Sequence, residues 1–148
     1  MKADLKAKMM DARKSGPSFF IDLDVRVGDL NYGNHVGYHH YFLYFQEARM
    51  AYLKQFGYTE SDIEGLGMVV ADASCRYRQE LLLGDRIRVH CRIPDIKAKL
   101  FVFEYTIFRG ETVCATGTTT NLCLDRSRKK VVSVPEVFVR AVKMYENI

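Results

Sequence analysis

The sequence contains no tryptophan, and its four cysteines form no pattern that is typical of a metal site or a disulfide framework. No two of them make a Cys-X-X-Cys pair, and no histidine lies at metal-ligand spacing from them. All four lie in strand-like stretches, where a free thiol behaves as a small apolar side chain. They are Cys75, Cys91, Cys114 and Cys123. This usage predicts a reduced, cytoplasmic protein without a bound metal ion.

Long apolar runs are also missing. No run approaches the roughly 20 residues that a membrane helix needs, so we expect no membrane-spanning segment. The chain begins Met-Lys-Ala-Asp-Leu-Lys, which is charged and lacks the apolar centre of a secretory signal peptide. We therefore expect no secretory leader.

The charge balance gives little sign of a nucleic-acid partner. The net charge is +4, whereas nucleic-acid binders usually cluster lysine and arginine on one face. The densest basic run, residues 126–130, lies between two strand-like segments and is typical of a solvated turn. The alternative is a contact with an anionic ligand such as a phosphate group, since lysine and arginine pair well with phosphate oxygens.

The length of 148 residues predicts one domain, and a hydrophobic fraction of 48% is sufficient for a buried core. Residues 40–56 carry apolar and aromatic side chains at spacings of three and four, which places them on one helix face. These are Tyr41, Tyr44, Phe45, Ala48, Tyr52 and Phe56. Short helices are predicted at about 1–16 and, opened by Pro135, at about 135–146.

The remaining segments are strand-like. Residues 21–27 alternate apolar and polar side chains before the long helix, and further strands are predicted after it. These are 68–81, 86–93, 99–108, 112–124 and a short strand at 131–134. Pro94 is expected to weaken the end of its strand. The order predicts an α+β fold in which one long helix packs against one antiparallel sheet.

Two blocks of sequence carry a resemblance to a known family. Residues 25–36 read VRVGDLNYGNHV and residues 41–49 read YFLYFQEAR. They resemble V-R-x-x-D-x-D-x-x-G-H-V-N-N and then Y-L-x-Y-F-E-x-A-R, a pattern of the 4-hydroxybenzoyl-CoA thioesterase family. Residues 67–85 resemble its second block, G-x-V-V and then Y-x-x-P-L-x-x-G-D. The site is expected to centre on residues 26–35.

The resemblance implies a hotdog fold, a long helix wrapped by a curved antiparallel sheet, in a single domain over residues 1–148. It implies an acyl-CoA thioesterase that needs no cofactor, because coenzyme A is part of the substrate. It also implies a homodimer or homotetramer with its sites at the interface between two chains.

One departure affects the chemistry. The family's catalytic carboxylate is usually the second Asp of D-x-D, and this chain has Asn31 there. An amide cannot ionise, although it can hold a water or a thioester carbonyl. Asp29, His35 and Glu47 are the other candidates for the catalytic group. Asp29 is alternatively a turn former, His35 a loop-ordering residue, and Glu47 a helix-surface residue.

Backbone amides at the start of the long helix, from Val36 to His39, are predicted to form an oxyanion hole, because helix N-termini present free donors. The predicted substrate-binding residues are Val36, Gly37, Tyr41, Tyr44, Phe45, Met68 and Val69, which suggest an apolar acyl chain or ring. His39 and His40 diverge by about 100° on a helix and so are not expected to chelate a metal together.

Two other functions stay open. A hotdog enoyl-CoA hydratase would carry D-x-N-P-x-H, but no proline follows Asn31, and His35 is one position too far from Asp29. A non-catalytic acyl-CoA-binding protein is the other alternative, which the amide at residue 31 keeps open.

Overall fold

The computed structural model describes residues 18–148, so the helix predicted at about 1–16 lies outside the described residues. The described chain forms helices α1 (His40–Lys54) and α2 (Glu136–Glu146) and six strands. The strands are β1 (Phe20–Asp24), β2 (Gly67–Tyr77), β3 (Arg86–Ile96), β4 (Phe101–Arg109), β5 (Thr112–Asp125) and β6 (Lys130–Val132).

The six strands form one antiparallel sheet in the order β1-β3-β4-β5-β2, and β6 pairs with the end of β5. Helix α1 packs on the part of the sheet formed by β3 and β1. This arrangement confirms the predicted α+β architecture of one long helix against one antiparallel sheet. Within residues 18–148, β2 pairs only with β5, so it forms an edge of the sheet.

The aromatic face of α1 forms the centre of the core, as its spacing predicts. Phe45 is fully buried, and its ring stacks on that of Tyr105 in β4 with the ring centroids 4.5 Å apart. Gly117 in β5 lies beneath Phe45, where a side chain would collide with the ring. A glycine at this point therefore lets the helix approach the sheet closely.

A charged side chain interrupts this apolar face. Arg49 is 5% exposed, and its Nε donates a hydrogen bond to Glu60 Oε1 at 2.7 Å. Its Nη1 donates to the Tyr105 hydroxyl at 3.0 Å, and that hydroxyl lies 2.7 Å from Thr119 Oγ1. The buried guanidinium is thus paired and hydrogen-bonded, as a charge in a core must be.

Three of the predicted strand ends are wrong. The strand predicted over 21–27 ends at Asp24, and Val27–Asp29 form a short 3-10 helix instead. The strand predicted over 68–81 ends at Tyr77, because the chain then turns to meet the loop before α1. Strand β3 continues through Pro94 to Ile96, beyond its predicted end at residue 93. A register shift between Arg92 and Asp95 accommodates the proline, which lacks the N–H that a regular ladder needs.

We predict that Gly117→Ala destabilises the fold by about 1–3 kcal/mol, the usual cost of an added methyl group in a full core. The new Cβ would lie 2.6 Å from Ser74 O as well as against the Phe45 ring. Urea unfolding measures the change, and Gly28→Ala is the matched control because a Cβ there meets nothing within 4 Å. Equal free energies of unfolding for the two variants would contradict the close-packing argument.

Candidate functional site

A cavity of about 330 Å³ lies where the loop before α1 meets the end of β2. Its lining combines aromatic, amide and charged side chains from these two parts of the chain. They are Asn31, His35, Val36, Tyr38, Tyr41, Tyr77, Arg78, Gln79 and Glu80. Four of them, Asn31, His35, Val36 and Tyr41, are residues that the sequence predicts for the site.

Backbone pairing joins the two parts. The Val36 N–H donates to Leu81 O at 2.9 Å, and His35 forms an isolated antiparallel bridge with Leu82. The Tyr77 hydroxyl also donates to Tyr38 O at 2.6 Å. Residues separated by some 45 positions in the chain are therefore fixed side by side along the cavity.

Asp29 contacts three polar groups of the loop and of α1. Its Oδ2 accepts hydrogen bonds from the Tyr44 hydroxyl at 2.7 Å and from the Arg26 N–H at 3.0 Å. Its Oδ1 lies 2.8 Å from His40 Nε2, and its side chain is 12% exposed. Both oxygens are thus engaged, which makes Asp29 a residue that ties the loop to α1 rather than a free base.

The paired histidines have separate contacts. His40 turns to Asp29, whereas the His39 ring lies where a Cβ on Gly37 would be, 2.8 Å from its Cε1. Gly37 thus gives the His39 ring its present position, and it does not itself line the cavity. Within residues 18–148 the structure has no group of three or more side chains placed to hold a metal ion.

Asn31 shapes the loop as well as lining the cavity. Its Oδ1 accepts the Gly33 N–H at 2.9 Å, which leaves its side-chain N–H groups without a partner among the described residues. Asn34, where the family pattern has glycine, has a φ of 63°. Asparagine tolerates this left-handed conformation better than most residues, so the turn survives the replacement.

His35 lies at the mouth of the same cavity. Its side chain is 43% exposed, and its Nε2 lies 3.7 Å from Glu80 Oε2. This separation is too long for a direct hydrogen bond but within the range of an ion pair. Glu80 itself comes from the connection between β2 and β3 and is 64% exposed.

The predicted oxyanion hole is smaller than the sequence suggests. The Val36 N–H is occupied by Leu81 O, and the Gly37 N–H donates to Asp29 O at 3.1 Å. Among the described residues, the N–H groups of Tyr38 and His39 have no acceptor. The start of α1 therefore keeps two free donors at the positive end of the helix dipole, and one of them belongs to Tyr38, which lines the cavity.

The predicted aromatic residues have different environments. Tyr41 lines the cavity with its ring edge-on to Tyr77, the centroids being 4.9 Å apart. Burial raises the pKa of Tyr41 to about 12, so its hydroxyl stays protonated at neutral pH. Burial and the hydrogen bond to Asp29 raise the pKa of Tyr44 as well. Tyr44 and Phe45 face the loop and the core, and neither lines the cavity.

Three predicted residues lie away from the cavity. Met68 and Val69 are at the opposite end of β2 from Tyr77, about 30 Å along the strand at 3.3 Å per residue. Glu47 is exposed on α1 and is not part of the lining. Within a single chain, these side chains do not meet Asn31 and His35.

Sequence reasoning missed five lining residues, namely Tyr38, Tyr77, Arg78, Gln79 and Glu80. Four of them belong to the second sequence block, which was assigned to a strand and a turn rather than to the site. The family pattern contains both blocks, and this was the one sign in the sequence that the second block belongs to the site. The pairing of His35 with Leu82 that brings the blocks together is a tertiary contact, which no local pattern encodes.

Comparisons with known proteins concern the family and the fold of the chain. An acyl-CoA thioesterase of Haemophilus influenzae is 24% identical over 80% of this chain and 89% of its own length. The crystal structure of a hypothetical protein from Aquifex aeolicus matches with a TM-score of 0.79 and 27% identity, covering 84% of this chain and all but 1% of that one.

A Staphylococcus aureus protein solved in complex with CoA matches with a TM-score of 0.81 at 18% identity, over 89% of this chain and 85% of that one. This likeness concerns the fold. The helices of residues 18–148 include none that is long and apolar enough to cross a membrane. The model of the thioesterase-like superfamily matches residues 25–142, which is most of the chain and includes both sequence blocks. The chain therefore belongs to the thioesterase-like superfamily, with the hotdog-type fold that its sequence predicts.

Proposed function

We propose that this protein hydrolyses the thioester bond of an acyl-coenzyme A in the cavity between the loop before α1 and the end of β2. The observation that carries the proposal is that one cavity is lined by both Asn31 and Tyr38, whose backbone N–H at the start of α1 has no acceptor among the described residues. Membership of the superfamily supports it, as does the relative that is named an acyl-CoA thioesterase.

The reaction needs stabilisation of negative charge on the thioester oxygen. The N–H groups of Tyr38 and His39 have the positive end of the α1 dipole behind them, which suits a developing oxyanion. The side-chain amide of Asn31 adds a further donor for the carbonyl or for the attacking water. The rings of Tyr38, Tyr41 and Tyr77 provide apolar surface for the acyl group.

A second chain completes the site in this proposal. β2 is 11 residues long, and within the described part of the chain its outer edge has no neighbour. Val69 and Val70 are 36% and 44% exposed there, and such an edge readily pairs with another strand. Antiparallel pairing of β2 with its own copy brings the Gly67 end of one strand to the Tyr77 end of the other.

This pairing also gives a role to the residues that lie far from the cavity. Met68 and Val69 of the partner subunit would then lie beside the Tyr77 end of the first chain, where the acyl group binds. We therefore propose a homodimer as the active form, and we place it in the cytoplasm because all four cysteines are free thiols.

The activity is tested by thiol release from a panel of short-chain, long-chain and aromatic acyl-CoA substrates. We expect turnover by the wild-type protein and a fall of about a hundredfold in kcat for Asn31→Ala, as for loss of an oxyanion donor. Gln46→Ala, which removes an exposed amide on α1, is the control and should keep its rate. Absence of thiol release from every substrate by a folded wild-type protein would refute the proposed hydrolysis.

Asp29 is predicted to act by holding the loop. Asp29→Ala leaves the Tyr44 hydroxyl and His40 without their acceptor, so we expect unfolding to become easier by about 2 kcal/mol. Urea unfolding gives this value, and Tyr44→Phe should cost less because it removes one of three polar contacts. If Asp29→Ala abolished turnover while keeping the wild-type free energy of unfolding, Asp29 would be a catalytic group instead.

The dimer is tested by sedimentation at micromolar concentration. We expect twice the 17.1 kDa mass of one chain. Val70→Lys places a charge in the β2 edge and should shift the protein towards monomer. Val131→Lys is the matched control, since Val131 in β6 has the same 44% exposure as Val70. A wild-type protein that sediments only as a monomer would contradict the proposed two-chain site.

A further inference from the structure

The cavity contains a carboxylate at a position where the family pattern has none. Glu80 lines the cavity together with Asn31 and His35, and its Oε2 lies 3.7 Å from His35 Nε2. Residue 80 is the proline of Y-x-x-P-L in the pattern that the second sequence block resembles. The chain thus lacks the patterned carboxylate at residue 31 and carries an unpatterned one on the other wall of the same cavity.

The backbone that carries Glu80 is fixed on both sides. The N–H groups of Arg78 and Gln79 both donate to Cys114 O, at 2.9 and 3.1 Å. Arg109 Nη1 donates to Glu80 O at 2.9 Å and to Asp85 Oδ2 at 3.0 Å. The backbone of Glu80 is therefore held in place although its side chain is exposed, and a catalytic group needs such a fixed position.

On the loop side of the cavity, Gly33 lies beside both His35 and Asn31. A Cβ at Gly33 would lie 3.1 Å from His35 Nε2 and 3.2 Å from Asn31 Oδ1. These values are tighter than ordinary contact, so the imidazole and the amide both pack closely against Gly33. His35 Nε2 thus lies close to Gly33 and 3.7 Å from the Glu80 carboxylate.

We propose that Glu80 is the catalytic carboxylate of this site and that His35 positions it, an inference that rests on the proposed thioester hydrolysis. Glu80 takes a proton from water as the water oxygen bonds to the thioester carbonyl carbon. The oxyanion then collapses, the carbon–sulfur bond breaks, and the sulfur of coenzyme A takes the proton back from Glu80. The products are a carboxylic acid and the free thiol of coenzyme A.

The 3.7 Å separation of His35 Nε2 from Glu80 Oε2 is within the range of an ion pair, so the imidazole is close enough to orient the carboxylate. Other titratable or charged groups also surround the Glu80 carboxylate and its segment. They are Tyr38, Tyr41, Tyr77, Arg78, Asp85 and Arg109.

The test is thiol release by Glu80→Gln, which keeps the shape of the side chain and removes its charge. We expect kcat to fall by about a hundredfold or more, the usual contribution of a general base. Glu111→Gln, in the exposed turn between β4 and β5, is the matched control and should keep the wild-type rate. The double variant Asn31→Asp/Glu80→Gln returns a carboxylate to the other wall and should regain much of the lost rate.

The pH dependence tests the positioning role of His35. The wild-type rate should fall on the acid side as the base becomes protonated, and Glu80→Gln should lose this limb. His35→Gln should keep the limb but shift it, with a smaller fall in kcat than that of Glu80→Gln. A structural role alone would change the melting temperature and leave the position of the limb where it is.

The outcomes separate the two proposals. An active wild type whose Glu80→Gln variant keeps full rate and the acid limb overturns the role of Glu80 and leaves the hydrolysis intact. Failure of Asn31→Asp to raise the rate of a folded Glu80→Gln protein argues against a transferable carboxylate. A wild type that releases no thiol from any acyl-CoA overturns the proposed function and this inference with it.

Discussion

The site depends on one short stretch of backbone pairing, between the end of the loop before α1 and the segment after β2. The Val36 N–H bonds to Leu81 O, and His35 pairs with Leu82. Without this pairing the loop would carry Asn31 with nothing opposite it, and Glu80 would belong to a surface turn. Because buried backbone groups are costly to leave unpaired, the contact also fixes where α1 begins over the sheet.

The regular elements could be predicted because their signals are local and periodic. The spacing of Tyr41, Phe45 and Tyr52 placed them on one helix face, and all three are buried against the sheet. The loop residues of the first block were likewise assigned to the site from their pattern. Strand ends were harder, since Pro94 disfavours a strand by its chemistry, yet a register shift lets β3 pass through it.

The far half of the site could not be predicted, for reasons that are physical. A strand pattern shows which side chains share a face but gives no sign of which loop meets the end of the strand. Tyr77 and Glu80 therefore look like strand and turn residues until the pairing of Val36 with Leu81 is seen. Met68 was predicted for the site from its sequence block, but within a single chain it lies at the end of β2 that is distant from the cavity.

The two acidic positions of the D-x-D pattern are under different structural demands in this chain. Asp29 Oδ2 accepts from the Tyr44 hydroxyl and the Arg26 N–H, and its Oδ1 lies 2.8 Å from His40 Nε2, so both carboxylate oxygens have partners. Residue 31 needs only one acceptor, for the Gly33 N–H, and an amide oxygen supplies it. The loop therefore constrains the charge at residue 29 and leaves the charge at residue 31 free to change. The hydrogen bond to the Gly33 N–H needs an acceptor at residue 31 and not a charge, so the fold of the loop does not itself demand a carboxylate there.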